Sequence, residues 1–154
     1  MLVYTIKDIY DYGNLRRLQK GTVCIVYAVE YVDNSLNKYA VFPLKPEGYD
    51  YSTIEQPDPL FFESQNFEVL FDDSQHNWIT GKPYSGSLKS ISVKSFPEWF
   101  LDGTACRVHD WDLEQSDYDK LVPVFNKYNT ACWNYIHNEG VDVTYRDDGF
   151  IFSK

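Results

Sequence analysis

The period of hydrophobic and polar positions changes several times along the chain. From Thr22 to Val32, TVCIVYAVEYV is β-branched and aromatic and apolar at both parities until Glu30, the pattern of a central strand covered on both faces. The polar stretch Asp33 to Asn37 then turns the chain into KYAVFPL, which predicts a hairpin. Its second strand should finish at Pro43, which has no N–H to give to a ladder. Phe67, Val69 and Phe71 alternate with Asn66, Glu68 and Asp72, as in a half-buried strand. In SLKSISVKS, Ile91 and Val93 alternate with Ser and Lys while Leu88 falls out of phase, predicting a bulge. Thr104, Cys106 and Val108 share one parity of TACRVH, a further short strand. VDVTYR and FIFSK flank Asp147-Asp148-Gly149 and predict a hairpin with an Asp-Gly turn.

Helical spacing is clearest between Ser116 and Gly140. At about 100° per residue, Tyr118, Leu121, Phe125, Tyr128, Cys132, Tyr135 and Ile136 fall on one stripe that should lie against the sheet. Ser116 with Asp119 resembles a capping box, and Gly140 suits the terminating position. Pro123 removes a backbone bond inside this pattern and predicts a kink or a later start. A second, interrupted spacing (Ile6, Ile9, Tyr10, Leu18, broken by Gly13 and Asn14) predicts a short helix within Thr5 to Gln19. Phe96 to Phe100 offers one helical turn or a tight corner. Lys45 to Pro59, rich in Pro and turn formers, reads as a long loop in which Tyr49 and Tyr51 are secondary contact candidates. The sum is an α+β fold in a single domain spanning 1–154: a mostly antiparallel sheet of about six or seven strands with one long helix packed on a face.

Composition changes this picture in one direction. The net charge is −9, which argues against nucleic acid, since phosphate binding rests on clustered Lys and Arg. A basic protein is the natural complement. Aromatic residues make up 18% of the chain, beyond what a sheet core needs, and Tyr and Trp are enriched at protein interfaces. Cys24, Cys106 and Cys132 form no paired spacing, which favours reduced thiols and a cytoplasmic location. The opening stretch has no signal-peptide pattern, and no apolar run approaches the roughly 20 residues that span a bilayer.

Candidate chemistry is sparse. Cys106-x2-His109 and Cys132-x4-His137 superficially suit zinc, but a five-residue helical step turns the second ligand by about 140°, and a strand would put Cys106 and His109 on opposite faces. No metal or cofactor is therefore expected. A Cys106/His109/Asp110 centre is the place to look for a small enzyme, though no nucleophile elbow, phosphate loop or H-E-x-x-H accompanies it. The acid-rich lip Asp110, Trp111, Asp112, Glu114, Asp117 and Asp119 precedes the long helix, and Trp133 and His137 project off its apolar stripe. Carboxylates there complement the helix dipole, and together with the pairs Asp72-Asp73 and Asp147-Asp148 they could form one negative surface. These eight lip and helix residues are the predicted partner contacts, with Trp111 and Trp133 as anchors.

In size, acidity and aromatic richness the chain resembles bacterial immunity proteins of interbacterial toxin systems, a resemblance of composition that rests on no motif. It implies an inhibitor that neutralises a basic, nuclease-type toxin by occlusion. A phage-type acidic inhibitor of a nucleic-acid-binding protein would use the same surface.

Overall fold

Strand β4 (Val23–Val32) is the axis of the fold: its first seven residues are all buried, as apolar residues at both parities require. The computed structural model describes the chain except residues 11–12, 14–15, 73–76, 84–89, 147–148 and 154 and the side chain of Arg16. On one side β4 pairs with β5 (Ser35–Pro43) through a hairpin whose turn residues Asp33 and Asn34 take φ of 50° and 64°. Asp and Asn tolerate that left-handed backbone, and two such residues in succession match the twist of the flanking strands. The other side of β4 is shared. Its first half pairs with β1 (Leu2–Thr5) and its second half with β9 (Ile91–Ser95).

Beyond β5 lies β6 (Leu60–Glu63), beyond β1 lies β7 (Phe67–Phe71), and β8 (Ile79–Gly81) lies outside β9. Every described pairing is antiparallel. Two small hairpins complete the strands, β2–β3 (Ile9–Tyr10 and Arg16–Leu18) and β10–β11 (Val143–Arg146 and Gly149–Phe152). The second is fastened to the sheet where Ile151 bridges Thr22 and Phe152 N donates to Gly21 O at 2.9 Å.

The long helix α2 (Gln115–Glu139) packs on the sheet through the expected stripe: Leu121, Phe125, Cys132 and Ile136 are buried. Tyr27 links the two layers. The β4–β5 register skips between Val26 and Ala28, so Tyr27 is the extra residue of a bulge. Its buried ring meets Phe42, Phe125 and Tyr128, and its hydroxyl donates to Phe125 O at 3.2 Å.

Four expectations need correction. The described residues of Thr5 to Gln19 form no helix: Leu2–Thr5 fills the slot between β4 and β7, and Ile9–Tyr10 pairs with Arg16–Leu18, so tertiary pairing overrides a weak helical spacing. TACRVH is not a strand but helix α1 (Thr104–His109), started by left-handed backbone at Asp102 and Gly103, with Thr104, Ala105 and Val108 buried on one helical face. Helix α2 begins at Gln115 with Glu114 as its cap rather than at Ser116, and continues through Pro123 to Gly140, which closes it at φ 64°. Along β7 the half-buried alternation fails: Phe67 is buried but Val69, in unbroken register with it on this terminal strand, is exposed, and the register with β1 then shifts between Leu2 and Val3, where Leu70 is the extra residue. The predicted bulge at Leu88 lies outside the described residues. Phe96 to Phe100 does enter a helical turn, the 3-10 stretch Pro97–Gly103.

Candidate functional site

The acidic lip is the connection between α1 and α2, and the structure divides it. Asp117 faces inward. Its carboxylate is wholly buried and receives Arg107 Nε on Oδ2 and Arg107 Nη2 on Oδ1, both at 2.7 Å, Thr104 Oγ1 at 2.6 Å and the Glu114 backbone N–H at 2.9 Å. The Arg107 guanidinium, against the opposing cost of burial, holds this carboxyl well below the usual carboxylate range. Asp117 is thus a structural clamp between the two helices and not a partner contact, correcting the expectation. A charge pattern alone cannot separate a buried cap from a solvated acid.

Asp110, Asp112, Glu114 and Asp119 do face solvent. Asp119 accepts from Gln115 Nε2 at 2.9 Å, and Asp110 Oδ2 from Cys106 Sγ at 3.6 Å. Among them stands Trp111, 66% exposed with φ 59°. The hydrogen bonds around it form a Schellman motif at the end of α1: Asp112 N donates to Arg107 O at 2.8 Å and Trp111 N to Val108 O at 3.3 Å. Trp111 occupies the left-handed position that this motif normally gives to glycine. The closed backbone ring therefore fixes the direction in which the Cα–Cβ bond of an exposed tryptophan leaves the chain.

Trp111 also lines a groove of about 510 Å³ with Tyr10 and Ile9 of β2, Arg17 of β3, Lys38 of β5, Asn66, and all four residues of β6. Tyr10 is 56% exposed. Leu60, Phe61 and Phe62, which follow the Pro-rich loop, are not among the expected site residues. Their available signal was an apolar aromatic triplet bounded by Pro59 and by the polar Glu63 to Asn66, enough for a short strand.

The outward side of α2 behaves differently. Trp133 is buried rather than exposed: its Nε1 donates to Lys45 O at 2.7 Å and its ring meets Phe150 edge-on at 5.0 Å. The segment 45–51 covers it, held by the same helix: Asn129 Oδ1 accepts from Lys45 N at 3.2 Å, Asn129 Nδ2 donates to Pro46 O at 3.1 Å, and Asn126 Oδ1 accepts from Tyr51 N at 2.7 Å. Trp133 is accordingly not a solvent-facing anchor, and Tyr51 is buried as well. His137 is exposed and lies 3.0 Å from Glu47. Both Trp133 and His137 sit roughly 27 Å or more along α2 from its start, so they do not join the lip. Asp73, Asp147 and Asp148 lie outside the described residues, which leaves the wider negative surface with Asp72 alone to place.

Cys106, His109 and Asp110 are neighbours without forming a relay. Burial, then the hydrogen bond to Asp110 and its charge, push the Cys106 thiol up, opposite to what a nucleophile needs. The His109 ring packs on Phe61 at 4.8 Å and Trp99 at 6.1 Å, and its buried Nε2 has no hydrogen-bond partner among the described residues. Burial brings the imidazole pKa down to about 4, against a small opposing effect of Asp110. Among the described residues no three His, Cys, Asp or Glu side chains are placed to hold a metal ion, and no helix is long and apolar enough to cross a membrane. No protein-family model, curated protein or solved structure matches the chain.

Proposed function

We propose that the chain is a protein-binding inhibitor that occludes a basic partner, in the manner of a cytoplasmic bacterial immunity protein neutralising a nuclease-type toxin. Trp111 is the anchor of the contact, and Asp110, Asp112 and Glu114 are its charged rim. The supporting observation is the conformation of Trp111. A left-handed backbone costs a non-glycine residue about 1–2 kcal/mol. With its indole two-thirds exposed, Trp111 returns little of that to the fold, and strain kept at one exposed residue points to a use outside the fold. Tryptophan is prominent among the residues that dominate binding energy, while carboxylates around it speed encounter with a cationic surface.

The test separates binding from folding in one variant. Trp111→Gly should raise stability by about 1 kcal/mol by relieving the backbone, and should weaken partner binding by about 2 kcal/mol or more, roughly 30-fold. Purification of the chain from cells in which the gene is native should yield one stoichiometric basic protein, encoded nearby and toxic when expressed alone. Binding and growth protection would then be compared for the wild type, Trp111→Gly, and the triple variant Asp110→Asn, Asp112→Asn, Glu114→Gln. Undiminished protection by both variants, or absence of such a partner, sinks the reading.

A further inference from the structure

One wall of the groove beside Trp111 is an unpaired sheet edge. Strand β6 ends the main path of the sheet, and its register runs to β5 alone, from Lys38 opposite Glu63 to Val41 opposite Leu60. Among the described residues, the outward N–H and C=O groups of Leu60–Glu63 meet no further strand. Such an edge is a template for a strand from another chain. A segment lying along it would run past Tyr10 and Trp111, both exposed.

The charge of the groove selects among guests. In a chain of net charge −9, the described residues of its walls carry two cations, Arg17 and Lys38, against the carboxylate of Glu63. Neither cation makes an ion pair among the described residues. A guest carboxylate would therefore find cationic partners in the groove that Trp111 lines. The edge also sets a length. Pro59 precedes β6 and the 3-10 turn Ser64–Asn66 follows it, so an added strand has four residues to pair with, about 13 Å of extended chain.

We propose that β6 accepts a short extended segment of a partner protein as an added strand. The segment carries an aromatic side chain, which enters the groove beside Tyr10 and Trp111, and a nearby carboxylate, which meets Arg17 or Lys38. The inference rests on Trp111 belonging to a protein contact, and not on the partner being a toxin. A peptide is favoured over a free small molecule because the groove wall is a row of backbone donors and acceptors, which another backbone matches in spacing.

Selection of random peptides displayed on phage against the full chain tests this directly. The expected winners hold an aromatic residue within a position or two of Asp or Glu. A synthetic copy should slow amide exchange at Leu60–Glu63 at least tenfold, and N-methylation of its alternate backbone amides should abolish binding. The double variant Arg17→Glu, Lys38→Glu, its fold checked by thermal melting, should lose the peptide at least tenfold and select basic-aromatic peptides instead. Enrichment no better than on an unrelated protein, winners indifferent to the charge reversal, or unchanged exchange at Leu60–Glu63 overturns the proposal. Equal occupancy by indole-3-acetate alone would also overturn it, by making the groove a small-molecule site. Should Trp111→Gly abolish capture of a basic partner while the charge reversal changes nothing, the protein-binding reading stands and the strand addition falls.

Discussion

Asp117→Ala is expected to destabilise the fold by about 3–5 kcal/mol, the range found when one partner of a buried ion pair is removed. The carboxylate is completely buried, while the facing Arg107 is 25% exposed and would be left with little water to replace it. The loss goes beyond one pair. Thr104 Oγ1 and the Glu114 N–H lose their acceptor too, so α1 comes away from the first turn of α2 and the α2 cap opens. Urea denaturation at neutral pH measures the effect. The double variant with Arg107→Met should recover part of it, since no orphaned charge then remains. A cost below about 1 kcal/mol, typical of an exposed acid, would contradict the buried clamp. The pH sign follows from the lowered carboxyl: the stabilisation is complete above the ordinary aspartate range and is lost as pH falls through the folded value.

The second large effect is a loss of stability under mild acid, caused by His109. Its folded pKa of about 4 lies below the ordinary histidine value of 6.5. Between those values the unfolded chain takes up a proton that the folded chain refuses, so stability falls as pH drops from 6.5 toward 4. The full loss is about 3 kcal/mol. The groups facing the ring from other elements are Phe61 and Trp99, neither of which titrates; Asp110 is the nearby charge. His109→Phe should remove this slope without leaving a polar group unpaired, as Nε2 has no partner among the described residues to lose. Unfolding free energies of both proteins across pH 4–7 decide the matter. Parallel curves would refute the assignment, because the titrating carboxylates are common to both.

The sheet and the long helix were legible because their signals are collective. β4 needs apolar residues at both parities, and the stripe of α2 repeats over many turns; no local accident imitates either. Short segments carry no such redundancy. In TACRVH, Thr104, Cys106 and Val108 suit a strand, while Thr104, Ala105 and Val108 suit a helix equally well, and only the left-handed pair Asp102 and Gly103 decides. The candidate site was legible in part. The exposed acids and Trp111 were identified by residue type, but Asp117 and Trp133 were misplaced because burial depends on what the rest of the chain brings to them. Arg107, one helix earlier, covers Asp117, and the segment 45–51, distant in sequence, covers Trp133. The groove was missed because Tyr10, Arg17, Lys38, Leu60 and Trp111 meet only through topology.

The segment 45–51 is tied at both ends to side chains of α2. Lys45 N, Pro46 O and Tyr51 N end on Asn126 and Asn129, and Lys45 O receives the indole N–H of Trp133. These three helix residues act as a surrogate strand, so the segment loses its hydrogen-bond partners at Lys45, Pro46 and Tyr51 once this part of α2 opens. Loop and helix should therefore open as one cooperative unit. In native-state hydrogen exchange the amides of Lys45 and Tyr51 should share the opening free energy of the central turns of α2, instead of exchanging early as loop amides ordinarily do.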